Sequence, residues 1–140
     1  MVPLSTACWD PKWYHNFKGP STVYIDSYGV INGLRINPLH PDETCNYQCA
    51  ACNKTGDPNT CDFLKKYKEQ LYNIDFNGFM EHLCSYMDVV QKQYLCTTEE
   101  LFAIFIVHEA PGNECSERRV IQGWFNDNGV ICREWAGELL

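Results

Sequence analysis

Positive charge is scarce in this chain: 11 Lys and Arg stand against 18 Asp and Glu, a net −7 over 140 residues. Such a balance argues against general nucleic-acid binding and against an anionic membrane surface. Long apolar runs are missing too. The longest, Leu101 to Val107, has seven residues, far short of the ~18 of a membrane span. The opening Met1-Val2-Pro3-Leu4-Ser5-Thr6 has neither a basic stretch nor an apolar core, so no secretory leader is expected and the expected compartment is the reducing cytoplasm. Nine cysteines among 140 residues fall below the ~8–10% of a disulfide scaffold. Hydrophobic residues, at 45%, are too abundant for a disordered acidic tail. What these absences leave is one small globular domain spanning 1–140.

The cysteines are unevenly placed. Cys45, Cys49, Cys52 and Cys61 lie within 17 residues, and the other five are scattered. Residues 42–61 are polar and turn-rich with no apolar period, an inserted loop that needs something to order it. Four thiolates spaced C-x3-C-x2-C-x8-C complete a tetrahedron around zinc, and such a site is structural because no coordination position stays open. The first three also spell C-x3-C-x2-C, the triad that holds an iron–sulfur cluster in radical S-adenosylmethionine enzymes. Zinc is the expected metal; an iron–sulfur cluster is the alternative, because thiolates suit both. Unliganded cysteines in a surface loop are the third reading.

Hydrophobic pattern supplies the elements. A short helix is expected over Trp9–Phe17, with Asp10 as cap, Pro11 at the first helical position and Trp9 and Tyr14 stapled. Thr22–Asp26 reads as a strand, and Val30-Ile31 with Leu34–Ile36 as a second strand or hairpin. A helix follows the thiol loop through Phe63, Leu64, Tyr67 and Leu71, with Lys65, Lys66 and Lys68 on its wet side. Another starts near Asp75 and carries Phe76, Phe79, Met80, Leu83, Met87 and Val90. Leu101–Val107 reads as a central strand covered on both faces. Cys115–Asn126 reads as a helix with Val120, Ile121, Trp124 and Phe125 on one stripe and Asn128-Gly129 as its stop. Val130–Trp135 reads as a last strand. The order predicts an α/β domain: a small, mostly parallel sheet flanked by helices, with a Cys-rich metal-binding loop.

The segment from His108 to Arg119 joins the apolar strand to the next helix. Ligands of open α/β sheets bind beyond the carboxyl ends of strands, and a helix N-terminus favours an anion or a thiolate. Cys115 in that first turn is therefore a candidate nucleophile or redox thiol. Arg118 supplies a fork for phosphate or carboxylate, and Glu109 and His108 are candidates for moving protons. Asp26 and Ser27 form the neighbouring wall, and Asn113 and Ser116 are further ligand-binding candidates. The corresponding bland reading is a buried Cys115 with surface ion pairs around it.

This corner resembles the domain-of-unknown-function family four-eight-eight, whose members carry an apolar strand, a short loop and Cys-His-Arg at a helix start. The matching residues are Leu101–Val107, Glu109 and Cys115-Ser116-Glu117-Arg118. Phe63-Leu64-Lys65-Lys66-Tyr67 and Phe76-Asn77-Gly78-Phe79 are similar to the family's aromatic-containing helices, and Arg35 to its early arginine. Ser116-Glu117 stand where the family has histidine, which leaves His108 to assist. The resemblance implies a fold and a site, not a reaction. Two functions therefore stay open: first, a Rossmann-like protein with an anion or nucleotide-type pocket at Cys115 and a structural zinc loop; as the alternative, a non-catalytic protein-interaction module stabilised by a four-cysteine zinc site. Its partners would be a small anionic ligand in the first case and a protein in the second.

Overall fold

A computed structural model describes residues 2–6, 14–16, 24–25, 31–42, 45, 61–94, 101–107 and 116–134. Their contacts gather into two compact units interleaved along the chain. One is drawn from Met1–His40 and Ile74–His108, the other from Pro41–Asn73 and Glu109–Leu140.

The first unit holds the sheet. Its strands are β1 (Val2–Ser5), β2 (Tyr14–Asn16), β3 (Tyr24–Ile25), β4 (Ile31–Arg35) and β5 (Ala103–Ile106). The order is β2-β4-β1-β5, with β3 also paired to β4. The β1–β4, β1–β5 and β2–β4 pairs are parallel, and only β3–β4 is antiparallel. With helix α2 (Phe76–Tyr94) on this sheet, the α/β class and the mostly parallel sheet stand as expected. Asp75 opens α2 by accepting the Phe79 N–H on its carbonyl at 2.9 Å. The core consists of Val2 and Leu4 from β1 and Val90 from α2. Leu83, Tyr86, Met87, Ala103 and Phe105 pack around it. Alternation along β1 and helical spacing along α2 bring those residues together.

Several expectations need correction. Tyr14–Asn16 is strand, not helix, because it pairs in register with Ile31–Gly33 of β4. A ladder of sheet hydrogen bonds outweighs one hydrophobic staple, and Tyr14 is at home in a strand. Of the strand and hairpin readings for the next segment, the strand holds: β4 runs unbroken through Asn32-Gly33. Among the described residues β5 ends the strand path and is only half-buried along its length. The central place belongs instead to β1, flanked by β4 and β5. Residues 130–134 form no strand. The Asn126 side chain accepts the Cys132 N–H at 3.2 Å, and Val130 N–H turns back to the Phe125 carbonyl at 3.0 Å, so these two amides are satisfied locally.

The second unit contains helices α1 (Asp62–Tyr72) and α3 (Arg118–Asp127). Each buries the stripe its sequence spacing dictates: Phe63, Leu64, Tyr67 and Leu71 on α1, and Val120, Ile121, Trp124 and Phe125 on α3. The two helices pack together. Phe63 and Tyr67, one turn apart, have nearly parallel rings 6.2 Å apart, and Trp124 meets Phe125 edge-on at 5.6 Å. Lys65, Lys66 and Lys68 are exposed. Gly129, at φ +80°, ends α3 in the left-handed region that glycine enters without penalty.

Candidate functional site

Two of the four clustered cysteines lie among the described residues, and both are buried in the second unit. Cys61 occupies the cap position before α1, with an extended backbone (φ −82°, ψ 111°) and a carbonyl that accepts the Lys65 N–H at 2.9 Å. Cys45 lies on a turn whose carbonyl at Asp42 accepts the Cys45 N–H at 3.1 Å. Its Sγ donates weakly toward Asp42 Oδ1 at 3.9 Å and Gln70 Oε1 at 3.8 Å. Gln70 Oε1 also accepts the Asp42 N–H at 2.9 Å. One α1 side chain thus pins the entry to the loop, while the cap of the same helix forms its exit. Cys49 and Cys52 lie outside the described residues, and so does the inserted loop apart from Cys45 and the residues at its two ends. Among the described residues, no three His, Cys, Asp or Glu side chains gather as a metal site.

Of the residues at the expected anion corner, His108, Glu109, Asn113 and Cys115 lie outside the described residues, as do Asp26 and Ser27. Ser116, Glu117 and Arg118 are described. The described helix begins at Arg118, not at Cys115, with Glu117 as its cap residue and the Glu117 carbonyl accepting the Ile121 N–H at 2.9 Å. Ser116 is fully buried, and its Oγ accepts the Arg118 N–H at 3.4 Å. Glu117 is only 2% exposed, which places a carboxylate beside the positive end of α3. Arg118 Nε lies 3.1 Å from Glu134 Oε1. Both sources of positive charge expected to attract an anion thus already have carboxylates beside them.

Arg35 ends β4 in register with Ser5 of β1. Sequence reading passed over Ser5, Thr6, Asp42 and Gln70. Gln70 carried no visible signal, since its contact with Cys45 spans 25 residues. No protein-family model, curated protein or solved structure matches this chain. Among the described residues, no helix is long and apolar enough to cross a membrane.

Proposed function

We propose that this chain is a non-catalytic protein-interaction module in which Cys45, Cys49, Cys52 and Cys61 bind one structural zinc ion. The observation that carries this reading is that both ends of the thiol loop are tied to the same helix, Cys45 through Gln70 near its C-terminal end and Cys61 as its cap. Closing a loop costs chain entropy, and a metal clip offsets that cost. Zinc uptake would replace the Cys45 thiol proton, so the weak contacts with Asp42 and Gln70 would be exchanged for a metal–sulfur bond. Gln70 lies nine residues beyond Cys61, about 13 Å along a helix axis. Its side chain leans back toward the N-terminus and takes up part of that span. Sharing one zinc would therefore require Cys45 to leave Gln70 and approach Cys61.

The module is favoured over a cysteine enzyme by the carboxylates at the start of α3. Glu117 and Glu134 make that end a poor host for a second negative charge. The resemblance to family four-eight-eight is compatible with either reading, since it implies no reaction.

Metal analysis of the full chain purified under reducing conditions tests the proposal. About one zinc per chain, without iron or acid-labile sulfide, is expected, and Cys61→Ser should lose it. A metal-free chain, or a C61S variant with undiminished zinc, refutes it. Alkylation near neutral pH separates module from enzyme. Burial, then the charge of Glu134, holds the Cys132 thiol above its usual pKa, so Cys132 is a slow reference. Cys115 reacting no faster supports the module, and rapid selective labelling at Cys115 favours the enzyme.

A further inference from the structure

Gln70 holds the Cys45 turn from near the C-terminal end of α1, whereas Cys61 caps the start of the same helix. Four contacts make the hold. Gln70 Oε1 accepts the Asp42 N–H at 2.9 Å and lies 3.8 Å from Cys45 Sγ. The Asp42 carbonyl accepts the Cys45 N–H at 3.1 Å, and Asp42 Oδ1 lies 3.9 Å from the same sulfur. Cys45 is only 5% exposed, so its side chain is largely withdrawn from water.

This arrangement suits a thiol and not a thiolate. An S–H can donate toward either oxygen, whereas a thiolate would set its lone pairs against theirs. A metal-bound sulfur is a thiolate, so one sulfur cannot serve Gln70 and zinc together. The turn is tied across itself through the Cys45 N–H. A sulfur drawn toward Cys61 therefore pulls the Asp42 N–H off the oxygen that both share. Resting on the zinc reading above, we propose that the Asp42–Cys45 turn is a two-position latch by which Gln70 sets the affinity for zinc. Closed, the turn rests on Gln70 Oε1. Open, the Cys45 sulfur joins Cys61 on the metal and Gln70 turns to water. Gln70 is thus a positioning residue, not a ligand. Its hydrogen bond to the exposed Asp42 favours the closed latch about two- to fivefold, and zinc opens the latch against that preference.

Zinc affinity of the full chain, measured by competition with a chromogenic chelator, tests the latch together with hydrogen exchange at the Asp42 amide. Gln70→Met keeps the side-chain length without the oxygen, and Gln70→Ala removes both. Each should bind zinc about two- to fivefold more tightly than the unsubstituted chain. In the unsubstituted chain zinc should speed exchange at Asp42, opposite in sign to its effect along α1. In Q70M that amide should exchange fast with or without zinc. The exchange measurement on unsubstituted protein decides the matter even if a variant fails to fold. Zinc bound no more tightly by a folded Q70M, or bound with undiminished protection at Asp42, overturns the latch and leaves the zinc site standing. A chain that takes up no zinc refutes both.

Discussion

The hydroxyl of Tyr72 donates to the Asp127 carboxylate, joining the last residue of α1 to the last residue of α3. Lys68, one turn earlier on α1, lies 5.3 Å from the centre of the Tyr72 ring. Partial burial, then the hydrogen bond and charge of Asp127, push the Tyr72 pKa from 10.0 up to about 12. A raised folded-state pKa favours the protonated phenol, so the linked stability is complete below pH 10 and disappears as pH rises toward 12. The side chain is 43% exposed, and solvent screening keeps the contribution within ~1 kcal/mol. Tyr72→Phe should therefore cost ~0.5–1 kcal/mol at neutral pH. It should also remove a tyrosinate step near pH 12 from an ultraviolet titration. An unchanged titration in Y72F would show that Tyr72 does not titrate near pH 12.

The two described glycines of the α3 region should respond in opposite ways to alanine. A Cβ at Gly123, inside α3, would meet nothing within 4 Å. Gly123→Ala removes unfolded-chain entropy and improves helix propensity, a gain of ~0.5–1 kcal/mol. Gly129 also has space for a Cβ, but its φ of +80° is strained for any L side chain. Gly129→Ala should lose ~1 kcal/mol. Urea midpoints moving apart in this way would confirm that backbone conformation, not packing, separates the two sites.

Helices were the most legible elements. The stripes on α1 and α3 bury the residues that 3.6-residue spacing selects, because amphipathic helices carry their packing instructions locally. Strands were less legible. β1 went unread because Val2 and Leu4 alternate over only four residues that include Pro3, and its central place comes from long-range pairing with β4 and β5. Apolar content suggested that Leu101–Val107 was central, whereas pairing puts β5 at the end of the described strand order. Tyr14–Asn16 shows the same limit: a local helix signal yields to pairing with β4. At the site, cysteine spacing was legible, while the Gln70 contact that anchors Cys45 depends on the fold. The acidic environment of Arg118 was equally invisible, since Glu134 lies 16 residues away in sequence.

Replacing one residue tests the central position of β1. Leu4 is fully buried and belongs to the core shared with Val90 of α2. Leu4→Ala should destabilise by ~2–5 kcal/mol through lost burial and the cavity left behind. Val89, the exposed neighbour of Val90, provides the comparison, and Val89→Thr should stay within ~0.5 kcal/mol. Similar urea midpoints for L4A and V89T would remove β1 from the centre of the sheet.

Chelation should affect the two units differently. Zinc bound to the thiol loop, as proposed, would contribute mass-action stability, about 4 kcal/mol when free metal exceeds its dissociation constant a thousandfold. That contribution acts where Cys45 and Cys61 meet α1, so a strong chelator should increase amide exchange first along Asp62–Tyr72. Amides of β1 and β4 belong to the other compact unit and should respond less. Gln70→Ala should leave zinc stoichiometry unchanged, because its weak contact with the Cys45 thiol is surrendered when metal binds. Cys61→Ser should reproduce the chelator effect without chelator. Zinc release should accompany acidification, since protons compete with metal for the thiolates. Hydrogen exchange that is unaltered along α1 on chelation would mean that the metal, if bound, does not order this helix.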